Sequence, residues 1–184
     1  MIVSNISERF DRETAHLPMA FAEPHWYVAY TCANHEKRVT QQLLERSVEH
    51  FLPLHDSVRR WNDRRVQLQL PLFPGYVFVY MALRDRLKIL QVPGVARLVG
   101  FGAQPCALPE AEIEAMRRCL RGKVRLEPHP FVQVGQRVRV KSGTLKGLQG
   151  LVIRKKNGLR FVISLELIQR SAAVEVESID LEGI

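Results

Sequence analysis

The stretch Gly75-Tyr76-Val77-Phe78-Val79-Tyr80-Met81 admits little but a β-strand, since five consecutive residues after the glycine are aromatic or β-branched. Period-two alternation puts Tyr76, Phe78 and Tyr80 on one face and Val77 and Val79 on the other. The segment before it, Leu72-Phe73-Pro74, adds Phe73, so that residues 73–78 hold three rings. A face of this kind either becomes the core of its own sheet or is left partly uncovered. In a domain of about 100 residues, two helices would have to cover Trp26, Tyr27, Tyr30, Phe73, Tyr76, Phe78 and Tyr80. Uncovered rings make a docking site, because aromatic anchors bury large areas at low entropy cost.

The surrounding sequence supplies partners for that strand. Trp26-Tyr27-Val28-Ala29-Tyr30 reads as another strand. Asn34 offers an N-cap to a helix with apolar residues at Val39, Leu43, Leu44 and Val48. Residues 51–70 are extended, with Arg59, Arg60, Asp63, Arg64 and Arg65 at a hairpin tip. A short helix over 83–90 and the turn Pro93-Gly94 lead to a strand over 95–101. A helix then starts at Leu108-Pro109, with proline suited to its first turn. Glu110, Glu112 and Glu114 near its start and Arg117, Arg118 and Arg121 near its end complement the dipole. Ile113, Met116 and Leu120 make its apolar stripe, and Gly122 is expected as a left-handed cap. The order predicts an α+β fold, an antiparallel sheet with its helices on one face.

Past Gly122 the pattern changes. Pro128, Pro130 and the charged residues from Arg121 to Glu127 interrupt the periodicity. The expected division is a loose arm (1–24), a first domain (25–122), a linker (123–130) and a second domain (131–184). In the second, Arg137–Val140 alternates, Asn157-Gly158 signals a hairpin between two strands, and Ala173–Glu177 reads as a last strand. Four or five short strands in this span predict a small antiparallel barrel.

The charge is unevenly spread. The chain has 27 basic and 19 acidic side chains, and residues 131–170 hold nine bases against the single Glu166. Such a segment attracts polyanions. An apolar fraction of 46% excludes a wholly disordered chain. Charges interrupt every apolar segment, so no membrane span is expected, and the first 23 residues lack the pattern of an export signal. Three cysteines at scattered positions, Cys32, Cys106 and Cys119, argue against a disulfide framework and for a cytoplasmic location.

Catalytic signatures are weak. Nucleophile-elbow and phosphate-cradling motifs are missing from the sequence. Cys32-x-x-His35 has half the spacing of a zinc site without a second pair, so neither a metal nor a cofactor is expected. The acidic residues of the 110–121 helix are accounted for by capping. The reading is that the protein is not an enzyme, with a chemistry built on Cys32 and His35 as the remote alternative.

At these residues the chain resembles the NusG family of transcription elongation factors. The resemblance rests on Trp26-Tyr27-Val28 with His35-Glu36-Lys37-Arg38-Val39, on Phe73-Pro74-Gly75-Tyr76-Val77-Phe78-Val79 with Val92-Pro93-Gly94-Val95, and on Val134 to Val140 through Gly143, Gly147, Gly150 and Val152. The last is similar to a KOW motif, whose glycines permit the tight loop of an SH3-like barrel. The family fold is an N-terminal NGN α/β sandwich followed by that barrel. The resemblance implies a docking patch for the clamp helices of RNA polymerase at Tyr30, Phe73, Tyr76 and Phe78, with Ile113 and Met116 beside it. It also implies a barrel contact with a small-subunit ribosomal protein or with Rho through Leu167, Ile168, Gln169 and Arg170. Housekeeping members commonly carry Phe-Gly where this chain has Ile168-Gln169.

Pro71–Pro74 and Val99–Pro105 look more like the RfaH-like specialised paralogues. Those read exposed non-template DNA, for which Lys37, Arg38, Arg46 and Arg97 are the candidate residues. Arg84–Lys88 and Val92-Pro93 depart from the RfaH pattern, so no DNA element carries over. That branch can also fold its C-terminal domain as a helical hairpin over the patch; the alternation and Asn157-Gly158 favour strands here. The expectation is a monomeric antitermination factor of the specialised kind. Two alternatives stay open: a housekeeping member coupling transcription to translation or Rho, and an RNA-binding ribosome-associated protein acting through a basic barrel.

Overall fold

The computed structural model describes residues 19–61, 64–101, 104–122, 124–131, 135–155, 158–176 and 180–183. Most of the expected arm, together with Asp63 and Asn157, lies outside them. The first part runs α1 (Met19–Ala22), β1 (His25–Thr31), α2 (Glu36–Glu45), β2 (Glu49–Phe51), β3 (Leu54–Trp61), β4 (Arg64–Pro71) and β5 (Tyr76–Met81). It continues through α3 (Arg86–Leu90), β6 (Val95–Leu98), the short pair β7 (Gly100–Phe101) and β8 (Gln104–Pro105), and α4 (Glu110–Arg121).

An antiparallel sheet in the order β2-β5-β1-β6 forms the frame. Its two faces are both apolar, and both are covered. Tyr27, Ala29, Val77 and Val79 meet Val39 and Leu43 of α2 and Ile89 of α3. Trp26, Val28 and Phe78, on the reverse face, meet Ile113 and Met116 of α4. The sequence reading put all helices on one face; the structure puts α4 on the other. The reason is that β1 and β5 alternate rings with small or β-branched apolar residues, so neither face tolerates water.

Two helix boundaries also differ. Asn34 is not the cap: it takes a left-handed turn at φ 60°, and His35 occupies the N-cap position. Asparagine tolerates that backbone better than most residues. Leu44 is 70% exposed and Val48 lies beyond the helix, because 100° per residue keeps Val39 and Leu43 on one stripe and rotates Leu44 off it. Gly122 ends α4 at φ −76°, not in the left-handed region. Its lack of a side chain matters for another reason: a Cβ there would run into the side chain of Thr144.

The second part contains β9 (Glu127–Pro130), β10 (Gln136–Val140), β11 (Gln149–Lys155), β12 (Gly158–Leu165), β13 (Arg170–Val176) and β14 (Leu181–Gly183). They form one antiparallel sheet in the order β14-β10-β11-β12-β13-β9. Residues 127–130, read as linker, instead pair with β13, Pro130 opposite Arg170 and Glu127 opposite Ala173. Two prolines are compatible with that strand because it lies at the sheet edge. The segment from Leu159 to Val176 is in strands apart from a short helical turn at Glu166–Ile168. Gly143 and Gly147 take φ +74° and +85° in the β10–β11 connection, the freedom expected of the KOW glycines.

The two parts share one buried cluster. It runs from Trp26, Phe73 and Phe78 through Ala115, Met116 and Cys119 to Val138, Phe161 and Leu165. α4 is the element between, with one stripe on the first sheet and another toward the second.

Candidate functional site

The site is a ladder of rings built by strand register. Trp26 pairs with Tyr80, Val28 with Phe78 and Tyr30 with Tyr76 across β1 and β5, so their side chains share one face. Trp26 and Tyr80 have ring centroids 5.3 Å apart, and Tyr30 and Tyr76 5.5 Å apart. Phe73 meets Phe78 edge to face at 6.0 Å, and Phe51 of β2 joins Phe78 at 6.0 Å. Such pairs add about 0.5–1.5 kcal/mol each beyond burial.

A turn sets the open end of the ladder. Gly75 holds φ +85°, and a Cβ there would stand 3.3 Å from the Tyr30 ring. Its amide donates to Oε1 of Glu36 at 2.7 Å, a side chain 5% exposed at the start of α2. The Tyr30 amide neighbour Thr31 donates to the Gly75 carbonyl at 2.8 Å. Thus α2, although on the other face, fixes where β5 begins.

The sequence expected Tyr30, Phe73, Tyr76, Phe78, Ile113 and Met116 to line an open patch. The structure brings all six to one side of the sheet but leaves few of them open. Phe73, Phe78, Ile113 and Met116 are at 1% exposure or less, Tyr76 is half-buried, and Tyr30 reaches 38%. The burial follows from α4 seated on the ladder and from the C-terminal domain packed along α4.

Side chains that the sequence assigned only to the helix dipole fasten this arrangement. Arg117 lies over Trp26 at 4.7 Å and Phe51 at 5.4 Å from the ring centroids, and pairs with Glu49 and Glu114, each at 3.1 Å. Arg118 donates to the carbonyls of Thr144 at 3.3 Å and Lys146 at 2.5 Å, bridging the two domains. Glu112 sits at the same seam. Its Oε2 is buried without a hydrogen-bond partner among the described residues, and burial, helped by the charge of Glu166, pushes its carboxyl up to about 7. No periodicity in the sequence distinguishes these three from ordinary capping charges.

The candidate DNA contacts are scattered. Arg97 lies over the Tyr30 ring at 5.3 Å, at the mouth of the ladder. Lys37 and Arg38 are exposed on α2, across the sheet, and Arg46 beyond it reaches the Lys88 carbonyl at 3.5 Å. In the loop proposed for a C-terminal partner, Ile168 is 5% exposed, Leu167 half-buried, and Gln169 takes a left-handed turn at φ 52° beside exposed Arg170. His35 uses Nδ1 on the Ala33 carbonyl at 2.9 Å, while Cys32 is exposed. Burial pushes the Cys119 thiol up to about 11, which leaves it a poor nucleophile. Among the described residues no group of three His, Cys, Asp or Glu could hold a metal, and no helix is long and apolar enough to cross a membrane.

Known proteins match this arrangement in sequence and in fold. The sequence model described as "NusG: Transcription termination factor nusG" matches residues 24–117. The transcription termination/antitermination protein NusG of Lactococcus lactis is 29% identical over 173 residues, 86% of this chain and 92% of that protein. The protein of the same name in Pseudomonas aeruginosa is 26% identical over 174 residues, 86% of this chain and 98% of the other. A solved structure concerning domain interaction in Thermotoga maritima NusG superposes with TM-score 0.55 at 22% identity, covering 89% of this chain and 98% of that one, a likeness of fold. The family match spans the whole ring ladder and most of α4, just over half of the chain. The chain therefore belongs to the NusG family, whose members are transcription factors and not enzymes.

Proposed function

We propose that this chain is an antitermination factor that docks on the clamp helices of RNA polymerase through the open end of the ring ladder and the adjoining face of α4. The observation that carries the reading is Tyr30: an aromatic residue left 38% exposed beside half-buried Tyr76, at the end of a ladder whose inner rings Trp26, Phe73 and Phe78 are buried. Aromatic residues at the centre of such a surface are the usual energetic anchors of an interface. In the closed arrangement the C-terminal domain occupies the outer stripe of α4, so docking competes with domain contact.

The specialised branch is the finer part of the proposal, supported by the likeness of Pro71–Pro74 and Val99–Pro105 to the specialised paralogues. Arg97 beside Tyr30 supports non-template DNA passing near the docked face, with Lys37, Arg38 and Arg46 as further contacts. The loop Leu167–Arg170 is proposed for the ribosomal or Rho partner, in a cytoplasmic monomer. Polymerase occupancy across a genome separates the branches: few long operons for a specialised factor, most genes for a housekeeping one.

The docking test uses the exposed rungs, because Phe73→Ala would hollow the core and cost about 3–5 kcal/mol of stability. Tyr30→Ala with Tyr76→Ala should weaken binding to core polymerase by at least about 30-fold, at roughly 1–2 kcal/mol per anchor. A folded double variant that binds as the parent does would place the docking face elsewhere.

A further inference from the structure

The stripe of α4 that meets the second domain follows from helical angles. At about 100° per residue, Glu112, Ala115, Cys119 and Gly122 fall within about 80° of one another, apart from Ile113, Met116 and Leu120 on the first sheet. Contacts at both ends fix where this stripe points. A Cβ on Gly122 would run into Thr144, and the Glu112 carboxyl lies within reach of the charge of Glu166, just after β12. Between them, Ala115 and Cys119 are buried in the cluster shared with Val138, Phe161 and Leu165.

The first-turn end of the stripe is out of keeping with the rest. Each domain brings a carboxyl group to it, and Oε2 of Glu112 is buried with no hydrogen-bond partner among the described residues. The cations of the surrounding elements are turned elsewhere. Arg117 holds Glu49 and Glu114, Arg118 holds the carbonyls of Thr144 and Lys146, and Arg160 of β12 holds Glu127 and Glu175. Lys146 belongs to the Gly122 end of the helix, about 15 Å along its axis, and Lys141 and Arg170 are exposed. His25 shares with Tyr27 the face of β1 turned away from α4.

An ionised Glu112 in this place repels Glu166 with neither cation nor hydrogen bond to offset its burial; a neutral one does not. We propose that Glu112 and Glu166 form a proton-operated latch between the two domains, closed while Glu112 carries its proton and loosened when that proton passes to water. The sign follows from the site. Burial holds the Glu112 carboxyl at about 7 in the closed form, against 4.5 for a free side chain, so closure takes up the proton. Closure is at full strength below 4.5 and weakens as pH rises through about 7. From about pH 6 to about pH 8 the ratio of closed to open chains should fall about 3–10-fold. For polymerase the latch matters only through the docking face proposed above, which parting of the seam uncovers. The opening itself is tested without polymerase, so the two can fail separately.

Cys119, fully buried on the same stripe, reports the opening. With Cys32→Ser and Cys106→Ser it is the single thiol of the full chain. Its rate of reaction with a pyridyl disulfide, divided by the rate for the unfolded chain at the same pH, gives the open fraction. That fraction should rise about 3–10-fold from about pH 6 to about pH 8. Glu112→Gln should abolish the rise and keep Cys119 protected throughout. Glu166→Gln should shrink it, and Glu110→Gln, at an exposed position of the same helix turn, should leave it as in the parent. Urea below about 1 M separates the two routes of exposure, since domain opening uncovers little surface and global unfolding much. A parent rate that does not change with pH would overturn the proposal. So would a rise that survives Glu112→Gln, a rise lost equally in Glu110→Gln, or exposure that accelerates with urea as global unfolding does.

Discussion

Glu112 is a carboxyl group held where its charge is unwelcome. Burial first, and the charge of Glu166 second, raise it from 4.5 to about 7. The folded chain therefore binds this proton more tightly than the unfolded chain does. Stability is undiminished below the unfolded value and falls as pH rises through the window from 4.5 to about 7. At pH 8 the ionised group costs up to about 3 kcal/mol, less with the solvent that reaches it. Glu112→Gln should accordingly stabilise the protein by about 1–3 kcal/mol at pH 8 and change little at pH 4.5, as urea midpoints at the two pH values would show. Equal effects at both would mean the penalty is not one of charge. At this scale the sequence is least informative. Glu112 reads as one of three acids at a helix start, and only its burial at the domain seam, with Glu166 approaching from the other domain, sets it apart.

The strands and helices were largely legible. Tyr76–Met81 and Trp26–Tyr30 announce themselves by composition, and their alternation identifies in advance the face shared by Tyr30, Tyr76 and Phe78. What the pattern could not convey was cover. A ring that will be buried by α4 and one that will stay open look alike in a linear string, so Phe73 and Phe78 were expected at a surface they do not reach. The edge strand Glu127–Pro130 was hidden for a similar reason, because proline marks a break in sequence and is tolerated at the margin of a sheet. α4 depends on Arg117, whose guanidinium stacks on Trp26 and Phe51 while pairing with Glu49 and Glu114. Arg117→Ala should lower stability by about 1–2 kcal/mol in chemical denaturation. Arg117→Lys should recover less than half of it, since an ammonium cannot stack and bridge at once. Full recovery by lysine would reduce the role of Arg117 to net charge.

For the molecule as a whole, the two-domain order is readable from the change of pattern near Pro128, but the domain contact is not. No local signal in Arg118 or Thr144 foretells that one donates to the carbonyl of the other. Arg118→Ala removes both of its bonds to the C-terminal domain and should favour separation by about 1–1.5 kcal/mol. If closure competes with polymerase, the variant should bind core polymerase up to about 10-fold more tightly than the parent. Equal affinities would show that the closed and open forms dock alike. Glu166, two residues before Ile168, also lies close enough to Glu112 to act on its carboxyl, so the loop proposed for a C-terminal partner begins at the very boundary that shields α4. Two ligands that each need that boundary parted are bound by reciprocity: whichever arrives first bears the separation cost, and the second inherits the same factor in its favour. If both proposed recognition surfaces lie along that one seam, the chain would act as an adaptor whose two ends are recruited together, with no message passed through the fold.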